Sequence, residues 1–128
     1  AVAKAALLGS VPPVPTLLET MRLDAGGYAR RDRHLARLAR SAAFHDIAYD
    51  PDEVAQALDA HARLHAHALA SGTVHRARLL LSPSGTPGVE SAPLVPTPAH
   101  PRVALSRTPV SRTDATLYHK TTARATYD

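Results

Sequence analysis

The chain has 128 residues, a formal charge of +4 and a hydrophobic fraction of 45 %, enough for one domain with a real core. It contains no cysteine, which excludes disulfides and thiolate metal sites, and no apolar run reaches the roughly 18 residues of a membrane span. Arginine carries most of the positive charge, which suits phosphate, carboxylate or nucleic acid without choosing among them. The N-terminal AVAKAALLGSVPPVP lacks a signal-peptide pattern, so a soluble cytoplasmic protein is expected. The first residue is Ala, the single methionine is Met21 and the last residues carry no tail-like composition, so both ends read as cut from a longer chain.

Residues 1–15 open with a short helical patch, AVAKAALL, and become proline-rich. Pro12, Pro13 and Pro15 forbid a regular helix or central strand, so the segment reads as a linker or the end of a preceding domain. TLLETMRL, DAGG and YARRD then read as a hairpin, with Asp24-Ala25-Gly26-Gly27 as its turn. From Asp32, the expected N-cap, Leu35, Leu38 and Ala42 recur at helical spacing. Arg37 lies about 100° round from Leu38, beside the buried stripe on the flank of His34 and Ser41.

A second helix starts at Asp50, with Pro51 in its first turn and Glu53 completing a capping box. Val54, Leu58, Leu64 and Leu69 are its expected apolar positions, and Gly72 suits its end. VHRARLLL, the turn cluster SPSGTPG and VESAPLV then predict two strands, and RVALS, beyond the proline-broken PTPAHP, a third. Two strands, two helices and about three more strands predict an α+β fold with an antiparallel sheet.

Three groups of residues invite a chemical reading. Arg30, Arg31, Arg33, Arg37 and Arg40 crowd one segment, but without interleaved aromatics they suit a solvated face better than a nucleic-acid site. His61 and His65 stand four apart, a metal-binding spacing, yet Ala62 replaces the glutamate of a zinc-protease helix, and the only third candidate nearby, His67, points elsewhere on the helix. They are expected to be a solvent-facing pair. Lys120 could form a covalent bond with an aldehyde cofactor if its amine were desolvated, although alone it reads as a surface lysine.

DRHLARLARSA resembles the early small-domain segment of class IV aminotransferases and related fold-type IV enzymes, which use pyridoxal 5'-phosphate (PLP). There the arginine of H-x-x-R-L binds the cofactor phosphate through its paired donors, which implies that role for Arg37. LYHKTTARATYD resembles the segment holding the cofactor lysine, which implies Lys120 as the catalytic and cofactor-binding lysine. LLETMRLDAGG is similar to the family's opening hairpin, and RLLLSPSGTP to its later small-domain strands.

The implied organisation is a small α+β domain over 16–116, with 117–128 opening a larger PLP-binding domain that is otherwise missing. The acidic partner of the pyridine nitrogen would lie in that missing part, so the isolated chain is expected to be inactive. Within the family, ETMR, DRHLARLA and HKTT-x-R-x-x-Y-D are most similar to the aminodeoxychorismate lyase-like domain fused behind a chorismate-binding part. That resemblance implies conversion of 4-amino-4-deoxychorismate to 4-aminobenzoate and pyruvate, a folate-precursor reaction. It also implies a homodimer, and either continuity with a chorismate-binding domain or association with a glutamine amidotransferase. Thr20 and Arg124 become candidate substrate contacts, with a structural role as the alternative for each. A class IV amino-acid aminotransferase and a non-catalytic interaction module stay open beside the lyase.

Overall fold

The computed structural model describes residues 13–123. Strand β1 (Leu17–Asp24) turns into the two-residue β2 (Gly27–Tyr28), followed by helices α1 (Arg31–Phe44), α2 (Pro51–Leu64) and the short α3 (Ala66–Ala70). Strands β3 (His75–Leu81) and β4 (Pro87–Pro93) complete a four-stranded antiparallel sheet of order β2-β1-β3-β4. A 3-10 turn at Ala115–Leu117 is the last regular element among the described residues. The expected opening segment AVAKAALL lies outside them.

The hairpin turn forms where its residues predict. Asp24 Oδ1 accepts the Gly26 N–H at 2.9 Å, and Gly27 has φ 102°, which a glycine reaches without a Cβ clash. The second arm is shorter than YARRD suggests. Arg30 takes a left-handed φ of 55° and redirects the chain into α1, so Arg30 is the N-cap and Asp32 lies inside the first turn. Asp32 is therefore not the cap. Its carboxylate acts on the helix dipole instead, where a negative charge in the first turn is favourable.

The start of α2 follows its local chemistry. Asp50 Oδ1 accepts the N–H groups of Asp52 and Glu53 at 2.9 and 3.4 Å, with Pro51 at the first helical position. The helix does not run through to Leu69. It ends at His65, and Leu64 is 77 % exposed. Six residues separate Leu64 from Leu58, about 240° round the helix, so Leu64 misses the buried stripe. The break at His65 re-aims the chain and lets Leu69 reach the core. Gly72 closes this region at φ 98°.

One face of the sheet carries the core. Leu17, Met21 and Leu23 of β1 and Ala77, Leu79 and Leu81 of β3 share that face, as period-2 alternation demands. Against Leu17, Met21, Leu79 and Leu81 pack Leu38 and Ala42 of α1, Ile47, and Val54 and Leu58 of α2. A smaller cluster joins Leu23, Leu69 and Ala77, and Tyr28 packs against both. Beyond β4 the expected strand RVALS is absent. Residues 94–114 form no strand, and Val103 and Leu105 lie exposed because their apolar alternation meets no partner edge. Among the described residues no helix is long and apolar enough to cross a membrane.

Candidate active site

Helix α1 presents a polar stripe to β1 alongside its apolar one. His34, Arg37 and Ser41 recur at three- and four-residue spacing and share a face. Opposite them on β1 stands Glu19, between Leu17 and Met21 on the core face and only 1 % exposed. A carboxylate there must be paired, because burying it alone would cost several kcal/mol, roughly the price of a lost core side chain or more. Arg37 supplies the pair in a two-pronged bond, Nε to Oε1 at 2.7 Å and Nη2 to Oε2 at 2.5 Å. His34 Nδ1 donates to Oε2 at 2.6 Å, since an ionised carboxylate can only accept. The bond to Glu19 holds the Arg37 guanidinium above its already high pKa, ahead of the opposing effect of burial.

Two of the five N–H donors of Arg37 are used by Glu19. The guanidinium also borders a cleft of about 290 Å3 lined by Thr116, Tyr118, His119, Lys120 and Thr121 among others. Arg37 and Lys120, the two residues singled out from the sequence, therefore share one cleft. None of the described residues that line it is acidic.

The Lys120 segment reaches the cleft by two attachments. Its backbone joins the edge of β1 that carries β2 further along: the Leu18 N–H donates to the Lys120 carbonyl at 3.0 Å, and the Thr122 N–H donates to the Thr16 carbonyl at 2.9 Å. Thr121, buried, bridges to Leu17. The second attachment is His119. Its Nδ1 lies 2.9 Å from the Ser41 hydroxyl, and its ring stacks on Phe44 at 4.3 Å between centroids. Burial holds the His119 imidazole below the usual histidine pKa.

Thr20 sits on the face of β1 opposite Glu19, in register with Arg78, and does not line the cleft. Arg124 lies outside the described residues. His61 and His65 are not a solvent-facing pair: both are half-buried, with ring centroids 4.6 Å apart. His61 Nε2 lies 2.7 Å from the Ser91 hydroxyl, whose oxygen also meets His75 Nδ1 at 2.8 Å. Packing of α2 onto β4 brings these groups together. Among the described residues no group of three or more His, Asp or Glu is placed to hold a metal.

Glu19, Ser41 and His119 were missing from the sequence reading of the site. Glu19 carried a usable signal: in Leu17-x-Glu19-x-Met21-x-Leu23 it occupies a core-face position, where a carboxylate needs a partner.

The family model for amino-transferase class IV matches residues 16–128, and the chain belongs to that family. A solved structure from Mesorhizobium loti, provisionally assigned as an amino-acid aminotransferase, superposes with a TM-score of 0.70 at 35 % identity. The match covers 85 % of this chain and 51 % of that one, so the chain spans about half the length of its solved relative. None of the curated proteins matches it.

Proposed function

We propose that this chain is the phosphate-anchoring and lysine-bearing part of a PLP enzyme, with 16–116 as its small domain and 117–128 opening the larger one. The observation that carries the reading is the convergence of Arg37 and Lys120 on one cleft. The donor chemistry fits the cofactor. Arg37 and Lys120, a guanidinium and a primary amine, both line the cleft, and Glu19 orients the guanidinium while using two of its five N–H donors. When bound, the cofactor supplies an aldehyde for amines and a ring that accepts electron density.

In this reading Arg37, oriented by Glu19, would hold the cofactor phosphate. Lys120 Nζ would hold the cofactor and would serve as the base for the proton on the carbon bearing the substrate nitrogen. Thr20 and Arg124 remain candidate substrate contacts. The acidic partner of the pyridine nitrogen would come from outside the lining residues seen here.

The reaction we favour is the conversion of 4-amino-4-deoxychorismate to 4-aminobenzoate and pyruvate. Support comes from the similarity of ETMR and HKTT-x-R-x-x-Y-D to the lyase-like branch. The substrate and the two products are equal in composition, so no oxidant or amino acceptor is needed. A cytoplasmic homodimer, continuous with a chorismate-binding domain or associated with a glutamine amidotransferase, goes with this reading. The amino-acid aminotransferase reading is favoured by the Mesorhizobium loti relative. Incubating the full-length protein with aminodeoxychorismate separates the two. Equal amounts of 4-aminobenzoate and pyruvate without a keto acid are expected; turnover that needs a keto-acid acceptor and releases no 4-aminobenzoate would sink the lyase.

A further inference from the structure

Arg37 and Ser41 stand one helical turn apart on the same face of α1. The first lines the cleft and the second, almost wholly buried, holds His119, the neighbour of Lys120. The imidazole is fixed on three sides: Ser41 Oγ at 2.9 Å, the Phe44 ring stacked at 4.3 Å with 22° between planes, and the His45 ring edge-on at 5.3 Å. Immediately beyond it, the Lys120 carbonyl is bonded to Leu18 of β1. Lys120 is thus pinned from the helix on one side and from the sheet on the other, at the end of a long irregular stretch, 94–114, that lies exposed.

We propose that His119 is a positioning residue, which uses α1 as a ruler to hold Lys120 at a set separation from Arg37. The inference rests on the reading of Lys120 as the cofactor lysine. Histidine suits the task because its flat ring stacks while Nδ1 bonds the hydroxyl. Its burial also favours the neutral form, which sets no second cation beside the lysine. A phenylalanine would keep the stacking and lose the bond; an asparagine would keep a polar atom near the Nδ1 position and lose the stacking.

The test uses the full-length protein titrated with PLP, following the absorbance band that borohydride converts into a product covalently linked to the protein, and its dependence on pH. Lys120→Ala reports on the underlying reading by itself: it must remove the band, and a surviving band that borohydride still links to the protein would overturn the lysine assignment whatever His119 does. Ser41→Ala and His119→Phe should each weaken PLP binding about five- to tenfold, the equivalent of one net hydrogen bond. Both should move the pH midpoint of the band in the same direction. The double variant should be no worse than the poorer single one, because the two side chains act through one bond. His119→Asn should recover part of the loss. Ser41→Ala removes only a hydroxyl, so it reports even where changes at His119 impair folding. Unchanged PLP affinity and an unmoved midpoint in Ser41→Ala and His119→Phe, with the band still lost in Lys120→Ala, would overturn the proposal.

Discussion

Two polar clusters lie under the helices on the same face of one sheet, and they solve burial in different ways. Beneath α1, Glu19 is neutralised by Arg37 and also bonded by His34, so opposite charges meet directly. Beneath α2, His61 and His75 share the hydroxyl of Ser91 while His65 packs against both rings, with no carboxylate in the set. The first cluster borders the cleft shared by Arg37 and Lys120, and the second lies away from that cleft. Charge compensation leaves Arg37 with spare donors to offer a ligand. The histidine cluster instead joins His61 and His75 through one neutral hydroxyl, with no opposite charge among these residues.

The largest effect should come from breaking the charged cluster. Arg37→Met leaves the Glu19 carboxylate buried with His34 alone, and should cost about 3 kcal/mol or more in urea denaturation. Adding Glu19→Leu should restore most of that loss, because replacing a buried ion pair with well-packed apolar groups is often neutral. The double variant should remain unable to hold PLP. A cost below about 1 kcal/mol for Arg37→Met would mean that pairing with His34 is enough. The ion pair would then be an orienting device with no weight in stability.

The histidine cluster should break more gently. Ser91→Ala removes the shared hydroxyl and leaves His61 Nε2 and His75 Nδ1 without that partner, at about 1–3 kcal/mol. Acid should reach the same cluster by another route. Burial first, then the neighbouring His65 and His75, hold the His61 pKa below its ordinary value of 6.5, and burial lowers His119 as well. Folded imidazoles with lowered pKa bind protons less readily than unfolded ones. Stability is therefore whole above about pH 6.5 and falls as the pH drops below it. Melting temperatures taken between pH 7.5 and 5 should decline, and His61→Phe should flatten part of that decline and leave the His119 share. A decline identical in His61→Phe and wild type would remove His61 from the account.

The contrast between these clusters also marks how far the sequence could be read. Short-range devices were legible: the Asp24–Gly27 turn and the Asp50-Pro51 helix start each depend on neighbours within a few residues. So were Arg37 and Lys120 as candidates, though only through family resemblance, and their meeting in one cleft needed the fold. Glu19 to Arg37, Ser41 to His119 and His61 to Ser91 join residues 18, 78 and 30 positions apart, so no local pattern announces them. Two local misreadings have a common cause. Asp32 and the RVALS run each had suitable chemistry, but a left-handed Arg30 and the lack of a partner edge decided the outcome.

Tyr28 offers the finest cut, because it sits where the two halves of the core meet. Its ring packs against both apolar clusters, and its hydroxyl donates to the Leu58 carbonyl at 2.7 Å. A carbonyl has two lone pairs, so losing this donor need not leave Leu58 without a partner, and Tyr28→Phe should cost only about 1 kcal/mol. The alkaline limb is more telling. Burial, helped by Asp59 and opposed by Arg31, pushes the Tyr28 pKa up to about 12 from 10.0. The unfolded phenol therefore loses its proton first, and wild-type stability should fall as the pH rises past 10. In Tyr28→Phe that fall should shrink to the part set by Tyr49, whose pKa burial also raises. If both proteins lost stability equally between pH 10 and 11.5, Tyr28 would not be coupled to the fold at the junction of the two clusters.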